Sequence, residues 1–395
     1  MKLKGIILIS LFIILTSLWT FNVVFNALTG SKFFDLSKFI TTKQIVTGPT
    51  KSKSLNLEKC SDKQAINFQD TADEHLTRLE DYQDLCGSFL TDSMMIFTDM
   101  PKDNQIAQKK AKEMSIKLKE FNKYKVQPIV IVEPVTQWGL IDFTEFDSGF
   151  YDSWIKTYFL TLQKEGITDQ MMGTWVPFPE ANLPYWNHAS ATPADFSRIV
   201  NKYLKFLKTY FPEAKGSILL NSATYETDDF DWANGEYVSL SQYVSGLDKK
   251  YIDSFGIQGF PWSPPATSKD AAAIFNAREF LNEDLISEAA DLLGTKNIWI
   301  NTGTFSRKYT LDPEQTITIT PEVRLDVLNS ILSQAVKLKQ KKNNVSINIF
   351  AEDKSETAEA TDWSYQGIYK NVFVNFAARA NSENIILTIF DRENQ

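Results

Sequence analysis

Residues 171–186 read MMGTWVPFPEANLPYW. The apolar run Met171–Val176 has the length of a buried strand and stops at Pro177, which has no backbone N–H to give to a sheet. The chain then reaches a carboxylate, Glu180, an amide, Asn182, and an aromatic pair, Tyr185 and Trp186. A buried strand that ends in an acid, an amide and flat rings has the parts to hold a sugar and to cleave it. A strand end with a solvated glutamate and loop aromatics has the same local sequence. The rest of the chain decides between them.

Working outward in both directions, runs of strand length alternate with runs of helical period. Upstream lie Ala65–Gln69 with a helical run to about Leu85, then Ser93–Thr98 (SMMIFT). A helix after it carries Ile106, Ala107, Ala111, Met114, Leu118 and Phe121 on one face. Pro128–Val132 (PIVIV) is the third strand and a helix through Tyr151–Leu162 follows. The run Met171–Val176 is the fourth. Downstream, Thr192-Pro193 reads as a helix cap followed by proline at the first helical position, ahead of Phe196, Ile199, Val200, Tyr203, Leu207, Tyr210 and Phe211 at helical spacing. Ser217–Leu220, Ser254–Ile257, Ile298–Ile300 and Val345–Phe350 complete eight strands. Helices are expected from about Lys269 to Leu293, from Thr320-Pro321 onward, and over Gly367–Ala380. This order predicts an α/β protein of the (β/α)8 TIM-barrel type. An open doubly wound sheet is the alternative, and Ala223–Lys250 is the connection that fits the count least well.

The chain has 395 residues, 43% of them hydrophobic, enough for a large core. Its formal charge of -8 lacks the basic footprint of a nucleic-acid surface, so no nucleic-acid partner is expected. Only His75 and His188 are available, which removes most catalytic triads and all His-rich zinc sites and leaves acid–base work to carboxylates. No metal or organic cofactor is implied. The acidic loop Glu226–Asp231 lacks the regular spacing of oxygen ligands that calcium takes.

At the N-terminus, Lys2 and Lys4 precede an uncharged apolar run from Gly5 to Ser31, longer than the apolar core of a signal peptide and suited to a bilayer span. The expected division is therefore a signal anchor over 1–31, a polar stalk over 32–63 and the barrel over 64–395. The barrel would stand at the cell surface, held to the membrane by an N-terminal transmembrane helix, or be secreted if the segment is cleaved. Cys60 and Cys86 flank the first strand and its helix at the predicted bottom of the barrel. In an exported domain they can pair as a disulfide, and two separate buried thiols are the alternative.

Active sites of such barrels are built where strands end. Those positions hold Asp99, Glu133, Glu180, Asn221 with Tyr225, the segment Gln258–Trp262 that includes Phe260, Asn301–Thr304, and Glu352-Asp353, with Trp138, Trp186 and Trp262 in adjacent loops. Glycoside hydrolysis needs two carboxyl groups across the bond, about 5–5.5 Å apart in retaining enzymes and about 6.5–9.5 Å in inverting ones. Each acid alone reads as a solvated strand end. Their collection on one face raises a saccharide site above that reading.

The segment PFPEANLPYW resembles the fourth-strand motif of glycoside hydrolase family 26, the β-mannanase family. PIVIVEP is similar to its third strand, YIDSFGIQGFPW to its sixth and INTGTFS to its seventh. The resemblance spans roughly Ala65 to Tyr365, and the order of the motifs carries it more than any one of them. It implies a β-mannan or mixed β-glucan partner, Glu180 as general acid/base, Asn182 as a substrate-binding amide, and Trp186 and Trp262 as stacking rings. Tyr185, Trp138, Phe260, Asp99 and Glu133 join them as candidate substrate contacts. Departures are as informative. The histidine before the acid is Pro179 here, the arginine earlier on that strand is Val176, and the tyrosine on the sixth strand is Phe260. The seventh-strand nucleophile falls on Asn301, also a candidate substrate contact. Three readings follow: Glu352 or Asp353 serves as base in an inverting hydrolysis, the site binds glycan without cutting it, or the seventh-strand register is displaced. A barrel scaffold with a protein partner is a further alternative.

Overall fold

The computed structural model describes residues 66–70, 93–123, 126–136, 139–182, 192–222, 240–259, 281–312, 315–341, 344–354, 361–363 and most of 372–392. For 66–70, 308–317, 350–354 and 386–392 the description is of the backbone. The apolar run Gly5–Ser31, the stalk over 32–63, Cys60 and Cys86 lie outside these residues. Among the described residues no helix is long and apolar enough to cross a membrane.

Among the described residues nine parallel strands make up the barrel: β1 (Ile66–Asp70), β2 (Ser93–Asp99), β3 (Gln127–Glu133), β4 (Thr174–Pro177), β5 (Lys215–Asn221), β6 (Ser254–Gly259), β7 (Asn297–Thr302), β8 (Asn344–Lys354) and β9 (Ile386–Arg392). Each pairs with the next along the chain, and β9 pairs back onto β1, with Ile66 opposite Leu387. All eight expected strands are present in the expected order. The ninth, ILTIFDR, lies beyond the eight that the sequence predicts; it inserts between the eighth and the first, and its apolar run is what a strand buried in a parallel sheet requires.

Alternation along the strands sorts the core into two layers. Ile96, Val130, Val132, Trp175, Ile218, Leu220, Ile298 and Ile300 face the helices. Their neighbours Met95, Ile131, Val176, Leu219 and Trp299, with Phe97 and Ile129 against them, fill the barrel interior. Trp299 fits because Gly256 stands beside it on β6; a Cβ there would lie 2.3 Å from the indole.

The outer layer includes α1 (Asn104–Lys123), α2 (Phe143–Ser148), α3 (Asp152–Lys164), α4 (Asp169–Met172), α5 (Pro193–Tyr210), α6 (Leu240–Val244), α7 (Glu283–Leu293) and α8 (Pro321–Gln340). Thr192 and Asp195 form a reciprocal capping box at the start of α5. Thr320 precedes Pro321 as expected but makes no side-chain capping bond. Of the helix expected from Lys269, the described part is α7; of that over Gly367–Ala380, isolated helical positions from 372 onward are described.

One boundary differs. Met171 and Met172 belong to the helical turn α4, not to the fourth strand, which starts at Thr174. Gly173 makes the break: its φ of 61° suits glycine, and a Cβ would lie 2.1 Å from the Pro128 carbonyl oxygen. Beyond the barrel end, Lys308–Asp312, Gln315–Thr318 and Thr361–Asp362 form an antiparallel lip on the extension of β8.

Candidate functional site

The site is built on the turn that leaves β4. Val176 points into the barrel and Phe178 points out, where it meets Phe143, Phe146 and Tyr203 at ring-centroid distances of 6.2, 5.4 and 5.8 Å. Phe178 and Glu180 both take positive φ, 56° and 54°, on either side of Pro179. Each such residue costs on the order of 1–3 kcal/mol and persists only where its surroundings over-determine it. Here the surroundings are named. Phe178 N–H donates to Val132 O at 2.8 Å and its ring is caged, while Glu180 N–H donates to Leu219 O at 2.7 Å. The strained pair turns the Glu180 side chain back over the end of β5.

There its carboxylate accepts a hydrogen bond from the Asn221 amide, Nδ2 to Oε1, at 2.7 Å, with Glu180 only 9% exposed. Asn182 grips the same residue by its backbone. Its Nδ2 donates to Asn221 O and its Oδ1 accepts from Asn221 N–H, both at 2.8 Å. Glu180, Asn182 and Asn221 are thus one hydrogen-bonded unit.

Asn221 begins a row of amides that crosses the sheet. It pairs in register with Gln258 on β6, which pairs with Asn301 on β7, which pairs with Asn348 on β8. Asn301 Nδ2 donates to Gln258 Oε1 and Asn348 Nδ2 donates to Asn301 Oδ1, each at 2.5 Å. Asn301 and Asn348 are 1% and 3% exposed. With strands about 4.8 Å apart, Asn301 stands about 10 Å from Asn221 across the barrel end. The sequence signal for Asn348 is alternation: Ser346 and Asn348 are polar at every second position of the otherwise apolar VSINIF.

The other acids have different settings. Asp99 is paired with Lys110 of α1, which ties its carboxylate to the helix layer. Glu133 stands beside it in register, partly exposed, at the end of β3. Glu352 and Asp353 lie on β8, opposite Arg392 and Asp362, and only their backbone is described. Glu352 is four residues past Asn348, about 13 Å further along the strand. Trp138, Tyr185, Trp186, Tyr225, Phe260 and Trp262 lie outside the described residues.

Behind the end of β7, Arg324 of α8 is fully buried; its Nε donates to Thr304 Oγ1 and its Nη2 to Trp363 O, both at 2.7 Å. It joins the segment after β7 to Trp363, beyond the end of β8. A separate depression of about 570 Å³ is lined by Lys249, Asp284, Ser287, Glu288, Asp291 and Lys341. Lys249 and Lys341 precede β6 and β8, so it belongs to the opposite end of the strands.

No family profile and no curated protein matches the chain. Solved structures do. An exo-β-1,4-mannosidase from Opitutaceae bacterium strain TAV5 superimposes with a TM-score of 0.51 at 14% identity, over 81% of this chain and 60% of the mannosidase. A family 1 β-glucosidase from Thermotoga maritima gives 0.48 at 13% identity, over 80% and 87%. A fungal β-1,4-galactanase gives 0.46 at 8% identity, over 71% and 87%. This chain therefore spans 60% of the mannosidase's length, and at these identities the likeness is one of fold: a distant similarity to barrel glycoside hydrolases.

Proposed function

We propose that the barrel end at β4–β8 binds a β-linked polysaccharide or oligosaccharide, a mannan or glucan in class, without hydrolysing it by the double-displacement route. One observation carries this. The seventh-strand position, where the family 26 resemblance calls for a carboxylate nucleophile, is Asn301, and both ends of its amide are hydrogen-bonded to neighbouring amides. A carboxamide held in that way has no free carboxylate oxygen for attack on an anomeric carbon.

Glu180 then serves as a fixed acceptor for sugar hydroxyls, held by Asn221 and aimed by the turn at Phe178. Rings from Tyr185, Trp186, Trp138, Phe260 and Trp262 supply stacking surface, and Glu133 extends the polar rim. Asn182 acts through Asn221. A second reading keeps Glu180 as general acid/base with Glu352 or Asp353 as base of an inverting hydrolysis; β8 running on past Asn348 favours it. On either reading the domain works at the cell surface, anchored through residues 5–31 or secreted after their removal.

Titration calorimetry with mannan and β-glucan oligosaccharides, together with product analysis, tests both. Binding that persists in Glu180→Gln at reduced affinity, falls about tenfold or more in Trp186→Ala, and yields no products supports the proposal. Products from the wild type that vanish in Glu180→Gln establish the hydrolase. No binding to any β-glycan sinks both.

A further inference from the structure

Helix α1 carries six lysines against two glutamates, a net positive element in a chain of net charge -8. Its buried face is Ala107, Ala111, Met114, Ser115, Leu118 and Phe121. On the opposite face Gln105, Lys109, Lys112, Ile116, Lys119 and Lys123 are all exposed. At 3.6 residues per turn these six fall within about 40° of one line, about 27 Å long. The acids stand off that line, with Glu113 beside Lys109 at 3.8 Å and Glu120 beside Lys123 at 3.0 Å. In the middle of the lysines sits Ile116, 61% exposed, more than the other exposed large apolar side chains among the described residues.

We propose that this crest is a docking surface for an anionic phospholipid bilayer. A straight row of long cationic side chains around a projecting apolar one is the pattern that lies on a lipid interface, where ammonium groups meet phosphates and the apolar side chain enters the headgroup layer. Charge also selects the face. The remainder of the chain is more acidic than the whole and is repelled by an anionic surface, so the domain approaches along α1. The membrane anchor of the proposed function, on which this inference rests, would bring the domain close to a bilayer. Because α1 runs antiparallel to the strands it connects, a docked α1 lays the barrel axis along the membrane plane. The site beyond β4–β8 then opens sideways, not away from the surface.

The test uses the full chain incorporated into vesicles, of phosphatidylcholine alone or with a third phosphatidylglycerol, and reads acetylation of individual lysines. Labelling of Lys112 and Lys119 is expected to fall about fivefold in the anionic vesicles, with Lys296, exposed immediately before β7, unchanged, and to recover in about 0.5 M salt. Lys109→Glu combined with Lys123→Glu should remove that protection, and Ile116→Ser should weaken it. Equal labelling of α1 in the two vesicle types overturns the proposal. So does protection by soluble polyglutamate with none from phosphatidylglycerol, which would give the crest to an acidic polymer.

Discussion

The Asn221 side chain donates to Glu180 Oε1 at 2.7 Å, and this one bond joins the end of β5 to the carboxylate at the end of β4. Both groups are largely shielded from water. Asn221→Ala removes the donor and leaves the buried carboxylate with one fewer partner, at a cost of about 1–3 kcal/mol. A lower denaturant midpoint together with weakened glycan binding is expected. An unchanged midpoint would mean that the bond contributes nothing.

At Asn301 the amide must donate to one side and accept from the other. Asn301→Asp keeps the shape but replaces the donor with a charged acceptor facing Gln258, which should destabilise by roughly 1–3 kcal/mol at neutral pH. Protonation restores a donor, so the variant's deficit should shrink as the pH is lowered. Thermal midpoints of wild type and variant at pH 4 and pH 7 check this; a pH-independent gap would contradict it.

Two glycines with positive φ separate strain from clash. Gly173 has φ 61° and faces the Pro128 carbonyl at 2.1 Å from a built Cβ, whereas Gly166 has φ 81° and nothing within 4 Å. Gly173→Ala should cost on the order of 3 kcal/mol or more, since the strands must move, and Gly166→Ala about 1 kcal/mol. Equal urea midpoints for the two variants would show that the contact with β3 is not rigid.

Burial raises the Asp195 carboxyl, but bonds from the Thr192 N–H, the Thr192 hydroxyl and Arg198 outweigh it and hold the group below the usual carboxylate range. A depressed folded value means that the stabilisation is complete above the ordinary aspartate pKa of about 4 and is lost as pH falls through the lower folded value. Asp195→Asn should therefore be less stable than wild type at pH 7, and the difference should narrow below pH 4. A gap that stays constant down to pH 2 would remove the carboxylate from the cap.

Much of the barrel is legible from local chemistry. PIVIV is apolar throughout because β3 is covered on both faces, and Thr192-Pro193-Ala-Asp195 announces the start of α5 by residues that satisfy its first N–H groups. The Met171-Met172 boundary is not legible in that way. Two methionines suit a strand or a helical turn, and the choice falls to Gly173, whose conformation is set by Pro128 more than 40 residues away. Strand β9 escapes for a different reason: its apolar run is clear, but an eight-strand count leaves it no place. At the site, Glu180 is visible as an acid after a strand. Its hold on Asn221 and the linkage of Gln258, Asn301 and Asn348 depend on register across four strands, which no single segment contains.

The place of β9 bears on how the molecule is made. Ile66 closes on Leu387, so without residues 386–392 β1 and β8 would each keep an unpaired strand edge. Closing the sheet therefore requires segments more than 300 positions apart to meet, a long-range step that local contacts elsewhere in the fold do not share.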